Sequence, residues 1–314
     1  MVELLKKLIS IIIPAYNEEE NISELTQRLQ KVFDILPRYD FEVVVVENGS
    51  KDNTFMELQK VHDNDPRFKI LQLARNFRMD GGLTAGLNFI KGDAAILMTA
   101  DLQDPPELIP IFLEKWEEGY ENVYGIVSKR QGTNPVRKLN SRLFYMVANV
   151  LTGGMIPRNV SDFRLVDIKI YTAINSMQER NRFMRGLFAW LGFRSVGIKY
   201  ERMPRFRGTS GAHTFKVIEL ALKGIFAHSY IPLKFISLAG VSISVISFIF
   251  FLWILFKVFI LGDPFPGFGT IMAVMLMMFG ILFTMLGIVS EYIGMIYEEV
   301  KQRPNFVVRQ KVGL

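Results

Sequence analysis

"LISIIIPAYNEEENISELTQRLQKVFDIL", residues 8–36, begins as a continuous apolar, β-branched run and becomes polar after Pro14. A run without polar alternation is what a strand buried on both faces requires. Glu18, Glu19 and Glu20 then place negative charge where a helix start favours it, and apolar residues follow at helical spacing. The same unit recurs along the chain. "FEVVVVENGS" (41–50) reads as a second strand and "DNTFMELQKVHDND" (52–65) as its helix. "FKILQLA" (68–74) and "GGLTAGLNFIKG" (81–92) form a third pair, and "DAAILMTAD" (93–101) a fourth strand. This alternation predicts an α/β domain with a mostly parallel sheet and helices on both faces. Ligands of such sheets sit beyond the carboxyl ends of the strands. "PAYNE" (14–18), "ENGSKDNT" (47–54) and "TADLQDP" (99–105) therefore share one rim.

The 314 residues are half hydrophobic and contain no cysteine, so disulfides, thiolate metal sites and cysteine nucleophiles are excluded. His62, His213 and His228 are scattered and make no metal set. The apolar excess lies near the C-terminus. Between Lys234 and Lys257 run 22 uncharged residues, and from Pro264 to Ser290 another 27. About 20 apolar residues cross a bilayer as a helix, so two spans are expected within 232–297, with a short hairpin near 262–269. Eight Lys or Arg against two Glu from Arg194 to Lys234, and a basic tail over 298–314, put both termini on the cytoplasmic side. "TFKVIELALKGIF", within 211–231, has Phe215, Ile218, Leu222 and Ile225 at helical spacing. Periodicity alone also suits a core-facing helix, but its position beside a span makes it an interfacial helix on the membrane. A catalytic domain over 1–210 completes the expected division.

"SIIIPAYNEEENI", "VVVVENGSKDNT", "LARNF", "LTAGL" and "ADLQDPPE", with two C-terminal spans, resemble the family 2 glycosyltransferases of the GT-A fold. Within them the chain is most similar to the polyprenyl-phosphate branch, the dolichol-phosphate-mannose-synthase-like enzymes, and among these to the bacterial two-span undecaprenyl-phosphate glucosyltransferases. The resemblance implies a nucleotide-sugar donor, a polyprenyl phosphate acceptor in the bilayer and a homo-oligomer, with a tetramer suggested by relatives.

It also distributes roles over the motifs. Asp101 and Gln103 match the metal-contacting pair, and oxygen ligands without Cys or His suit Mg²⁺ or Mn²⁺. Thr99 stands where the family usually has its first Asp. Asp104 either assists the metal or caps the helix that Pro105 and Pro106 begin. On the nucleotide side, Pro14 and Tyr16 form the exit turn of the first strand, with Tyr16 against the base. Glu18 contacts the base edge or is a first-turn acid, and Glu47 takes the place of the uridine-binding acid. Asn48 departs from the common "DDGS", and Arg78 from the glycine frequent after "RNF". Arg75 meets the diphosphate or pairs with a surface acid.

Residues 128–142 hold five basic residues and no acid, which points to an anionic partner. Nucleic acid is disfavoured for a domain tethered to a bilayer without a nucleic-acid motif. The resemblance assigns the lipid phosphate to Arg130, Arg137 and Ser141, the last two on one helix face if helical; an interfacial helix drawn to anionic headgroups is the other reading. "DFRL" contributes Asp162 and Arg164, and "RFRGTSG" contributes Arg205 and Ser210, with Gly211 in place of the usual lysine; the resemblance adds Arg164 and Ser210 to the lipid-phosphate set. Asp162 is expected to orient Arg164 or the sugar, and Arg205 to stabilise the departing diphosphate. A phosphate monoester is largely anionic at neutral pH and needs no strong base. The expected activity is inverting transfer of a hexose, glucose from UDP-glucose, onto undecaprenyl phosphate at the cytoplasmic face of the bacterial inner membrane. GDP-mannose, UDP-galactose or a UDP-aminopentose are alternative donors. A polysaccharide synthase would need more spans and a "Q-x-x-R-W" motif; a scaffold or flippase retaining the fold would release no UDP.

Overall fold

The computed structural model describes residues 6–130, 159–204, 206, 231–260 and 267–314. β1 (Lys7–Ala15), α1 (Glu19–Asp34), β2 (Tyr39–Glu47), α2 (Thr54–Asn64), β3 (Phe68–Leu73), α3 (Arg78–Phe89) and β4 (Ala94–Leu97) follow the expected alternation. A 3₁₀ turn (Pro106–Leu108) leads into α4 (Ile109–Glu117), and β5 (Asn122–Arg130), β6 (Val160–Asp167), α5 (Ile168–Ser176), α6 (Met184–Trp190) and β7 (Ser195–Arg202) complete the first pass. The eight-stranded sheet has the order β7-β5-β6-β4-β1-β2-β3-β8. β1 is central and parallel to β2 and β4, with Ile12 opposite both Val44 and Leu97. The parallel set closes with β2 on β3, while β6 runs antiparallel to β4 and β5.

Both faces of β1 are buried, which is why its sequence lacks alternation. Ile9, Ile11 and Ile13 pack with Ile22, Leu25 and Leu29 of α1 and Phe112 of α4. Ile12 faces the other way, with Leu83 and Leu87 of α3 and Ile170 of α5. Each such side chain contributes roughly 1.5–3 kcal/mol on full burial. The carboxyl ends of the parallel strands thus emerge along one rim between two packed layers, as the α/β GT-A class requires.

The chain forms two compact units: Met1–Ala221 with Gln302–Leu314, and Leu222–Lys301. The second consists of α7 (Ile231–Ile260) and α8 (Phe268–Lys301), and both are long and apolar enough to span a bilayer, with mean hydropathy 2.4 over Leu233–Trp253 and 1.8 over Met277–Lys301. Neither window is buried within the structure. Residues such as Phe248, Phe251 and Phe283 are more than half exposed, a surface that water disfavours and lipid accepts. The region expected as a tail from 298 differs in detail. α8 continues to Lys301, and β8 (Val308–Val312) joins the sheet antiparallel to β3, with Val308 opposite Leu73 and Val312 opposite Ile70. The strand satisfies the otherwise open edge of β3 and carries Lys311 over the Phe89 ring at 4.4 Å.

Candidate active site

Each of β1, β2, β3 and β4 leaves the sheet through a turn that contains one left-handed residue: Asn17 (φ 55°), Gly49 (φ 71°), Arg78 (φ 64°) and Leu102 (φ 57°). Such conformations cost free energy for any residue but glycine and gather where backbone must be aimed at a ligand. The turns are tied to each other. Asn17 N–H donates to Ser50 Oγ at 3.0 Å, Lys51 N–H to Asn17 Oδ1 at 2.9 Å, and Glu18 N–H to Thr54 Oγ1 at 2.9 Å. The first two rim motifs of the sequence are therefore neighbours in space, and the third leaves β4, the strand beside β1.

On the nucleotide side, Tyr16 is exposed at the rim, and Glu18 accepts from the Asn21 side-chain amide at 2.5 Å, with Glu19 and Glu20 occupying the first turn of α1. Pro14 lies inside β1 rather than in its exit turn, buried opposite Val46. Glu47 is buried, and its carboxylate accepts the Ser50 N–H at 2.5 Å, closing the "ENGS" turn. Arg75 is exposed and stacks over Phe77 at 4.1 Å. Asn48 and Arg78, the two departures from the family pattern, meet. The Asn48 amide donates to the Arg78 carbonyl at 2.8 Å and accepts the Phe77 N–H at 2.9 Å, a pairing an aspartate could make only by half. The left-handed φ of Arg78 accounts for the glycine frequent there. Arg78→Gly is expected to stabilise the domain by about 0.5–1 kcal/mol, the relief of a left-handed side chain less the added freedom of the unfolded chain. A lower melting temperature than wild type would contradict it.

At the end of β4, Asp101 is 5% exposed. Its Oδ1 accepts the Thr99 hydroxyl at 2.7 Å and the Gln103 N–H at 3.3 Å. Thr99 also approaches Asp104 Oδ2 at 3.3 Å, so the residue that replaces the family's first Asp bridges the two remaining acids. Asp104 is neither a helix cap nor turned to the rim. It is fully buried and accepts from Tyr200 Oη and, at 3.3 Å, Ser161 Oγ, with Arg202 Nε at 3.4 Å. Pro105 precedes the 3₁₀ turn without a side-chain cap. Burial raises the Asp104 pKa against the pull of Arg202 and the Tyr200 hydroxyl, and burial beside Asp104 raises that of Tyr200. Asp104 is thus the hub that joins the metal segment to β6 and β7.

On the other side of β4, Asp162 pairs not with Arg164, as expected, but with Arg185 of α6, through Nε–Oδ1 and Nη2–Oδ2 contacts of 2.6 Å each. Burial works against the Asp162 charge, yet Arg185, Arg164 and Arg202 outweigh it and hold its pKa below the usual carboxylate range. Arg164 is buried, donates to the Ser161 carbonyl at 3.2 Å and lies 4.3 Å over the Phe188 ring. Burial pushes its pKa down to about 10. Arg130 closes β5 in register with Arg202 of β7. Arg137, Ser141, Arg205 and Ser210 lie outside the described residues, as does the expected interfacial helix up to Tyr230. Arg185, Arg202, Tyr200 and Ser161 carry no motif. The basic excess before the first span was the only signal that included Arg202.

A parallel sheet whose strand-end turns gather Glu18, Glu47 and Asp101 has the architecture of a nucleotide-dependent transferase. The chain belongs to glycosyl transferase family 2, whose model matches residues 10–180; it is a glycosyltransferase. It is 40% identical over 98% of its length to an uncharacterized glycosyltransferase of Synechocystis sp., 96% of which is covered. It is also 33% identical to the SfII prophage-derived bactoprenol glucosyl transferase of Shigella flexneri, over 96% of this chain and 97% of that one. Among solved structures, glucosyl-3-phosphoglycerate synthase of Mycobacterium tuberculosis, crystallised with Mn²⁺, UDP-glucose and phosphoglyceric acid, is similar at 16% identity and a TM-score of 0.47, over 70% of this chain and 78% of that one.

Proposed function

We propose that the protein transfers glucose from UDP-glucose onto undecaprenyl phosphate, with inversion, at the cytoplasmic face of a bacterial inner membrane. The observation that carries this reading is the union, in one chain, of the strand-end carboxylate Asp101 and two helices of membrane length. The likeness to a bactoprenol glucosyl transferase over nearly the full length of both chains supports the lipid acceptor and the sugar. The sheet supports the topology. The chain leaves the sheet after β7 and rejoins it as β8, which supports two crossings between them.

The donor set fits a hard divalent cation. Asp101 presents a carboxylate whose orientation Thr99 and the Gln103 backbone N–H fix, and Gln103, two residues on, has a side-chain oxygen to offer. Asp101 and Gln103 would hold Mg²⁺ or Mn²⁺ together with the donor diphosphate; when bound, the ion supplies Lewis-acid stabilisation of the departing UDP. The chain's own groups do the rest. The "PAYNE" and "ENGS" turns cradle the nucleotide, with Tyr16 against the base and Glu47 and Arg75 beside ribose and diphosphate. The lipid phosphate, held by Arg130, Arg137, Ser141, Arg164 and Ser210, is already anionic near pH 7 and attacks without a base. One of its oxygens bonds to the anomeric carbon as the bond from that carbon to UDP breaks on the opposite face, so an α-linked donor yields a β-linked polyprenyl phosphate sugar. Arg205 meets the charge on the leaving diphosphate.

The test is a panel of UDP-glucose, UDP-galactose, GDP-mannose and a UDP-aminopentose, each with undecaprenyl phosphate and the full-length protein in detergent. Nucleotide release that depends on the lipid, fastest with UDP-glucose, and a β-anomeric product by NMR are expected. A faster alternative donor replaces the sugar assignment, an α product rejects inversion, and release indifferent to lipid rejects the acceptor.

A further inference from the structure

The Arg185–Asp162 pair lies beside the metal segment, yet the motifs account for only one of its members. Arg185 covers both carboxylate oxygens at 2.6 Å, edge to edge, which fixes the plane of the carboxylate as a single contact could not. A carboxylate has about four lone-pair sites, so a two-point grip of this kind leaves each oxygen one more acceptor position. The side chains are only 33% and 22% exposed, so solvent loosens the pair less than it would on an open surface.

Arg185 is itself well placed. Its neighbour Met184 is buried, donates its N–H to Asp80 at 3.2 Å and receives the Thr84 hydroxyl at its sulfur at 3.8 Å. Asp80 and Thr84 belong to α3, whose first residue is bonded by Asn48 in the nucleotide-side turn. Three residues further along α6, Phe188 carries Arg164 on its ring. Helix α6 therefore joins the donor-side helix to the strand that bears Asp162 and Arg164. Its hydrogen bond to α3 is made by the Met184 N–H, while the Arg185 guanidinium acts on the Asp80 carboxylate electrostatically.

We propose that Arg185 is a positioning residue of the transfer reaction: its guanidinium sets the orientation of the Asp162 carboxylate towards the reacting groups. The incoming phosphate is an anion, and Asp162 is a second anion beside it. Arg185 is the guanidinium in direct contact with Asp162 and carries the largest share of its neutralisation, with Arg164 and Arg202 adding to it electrostatically. This rests on the lipid-phosphate reading above. Wild-type transfer tests that reading, and the Arg185 variants test the inference separately.

The experiment compares wild type, Arg185→Gln and Arg185→Lys at full length, with turnover of UDP-glucose and undecaprenyl phosphate measured alongside UDP affinity by calorimetry. Because α6 keeps its Met184 anchor, UDP affinity and the donor KM should stay within about twofold, while kcat falls about a hundredfold in Arg185→Gln, as displaced reacting groups do. Lysine restores the charge through one contact instead of two, so Arg185→Lys should recover about tenfold of that loss. A kcat for Arg185→Gln within threefold of wild type overturns the proposal. So does a parallel loss of UDP affinity and kcat in both variants, the behaviour of a brace for the fold alone. If the glutamine variant does not fold, the lysine variant decides: wild-type kcat, or impaired UDP affinity, overturns it.

Discussion

Asp101→Ala is expected to lower turnover about a thousandfold, equivalent to roughly 4 kcal/mol of lost transition-state stabilisation. Of the two acids of the metal segment, Asp101 is the proposed ligand, since Asp104 is enclosed by Tyr200, Ser161 and Arg202. The fold should survive the change. Thr99 keeps Asp104 as a hydrogen-bond partner, and the network from Asp104 to β6 and β7 does not pass through Asp101. An unchanged melting temperature, with Mn²⁺-dependent UDP binding lost in calorimetry, is the expected pair of results. Appreciable remaining turnover would remove the metal assignment from this strand end.

Gly49→Ala should do comparable damage by a different route. At φ +71° any side chain is strained by about 1–2 kcal/mol. The added Cβ would also stand 2.6 Å from the carbonyl carbon of Arg75 and 2.9 Å from the backbone nitrogen of Asn76. Those are main-chain atoms and cannot swing aside, so overpacking adds about 1–3 kcal/mol. Moving that backbone also disturbs Phe77 and Arg78, whose N–H and carbonyl Asn48 holds. A melting temperature lowered by several degrees and a UDP affinity weakened more than tenfold are expected. If both stay at wild-type values, the close contact between the "ENGS" turn and the β3–α3 loop is refuted.

The contrast between these two positions also marks what local sequence could reveal. Asp101 was legible because an acid directly after a buried apolar run must face the end of a strand. Gly49 was legible as a turn residue, but its contact with Arg75 was not, because that contact joins two loops whose spacing the sheet sets. Asp104 had two readings from the sequence, metal and cap. The structure gives it a third, since Tyr200 lies 96 positions away along the chain. Asp162 was expected to orient Arg164, its near neighbour, or the sugar. In an extended strand, though, residues two apart point the same way side by side, and the fork of Arg185 reaches Asp162 from a helix across the rim.

By itself the sequence determined the α/β alternation, the rim that carries the three motifs, the two helices of membrane length and the membership of a glycosyltransferase family. Each is written in periodicity or in contiguous residues, where burial on both faces, helical spacing or lack of charge acts locally. Only the tertiary structure decided that Val308–Val312, a short and mostly polar segment, is a strand, because β3 offers it an unpaired edge. The same holds for the Asp104 hub and for the Arg185 grip on Asp162. Hydrogen bonds and ion pairs between distant positions exist only after hydrophobic packing has brought their elements together, and no local pattern of residues records which elements those will be.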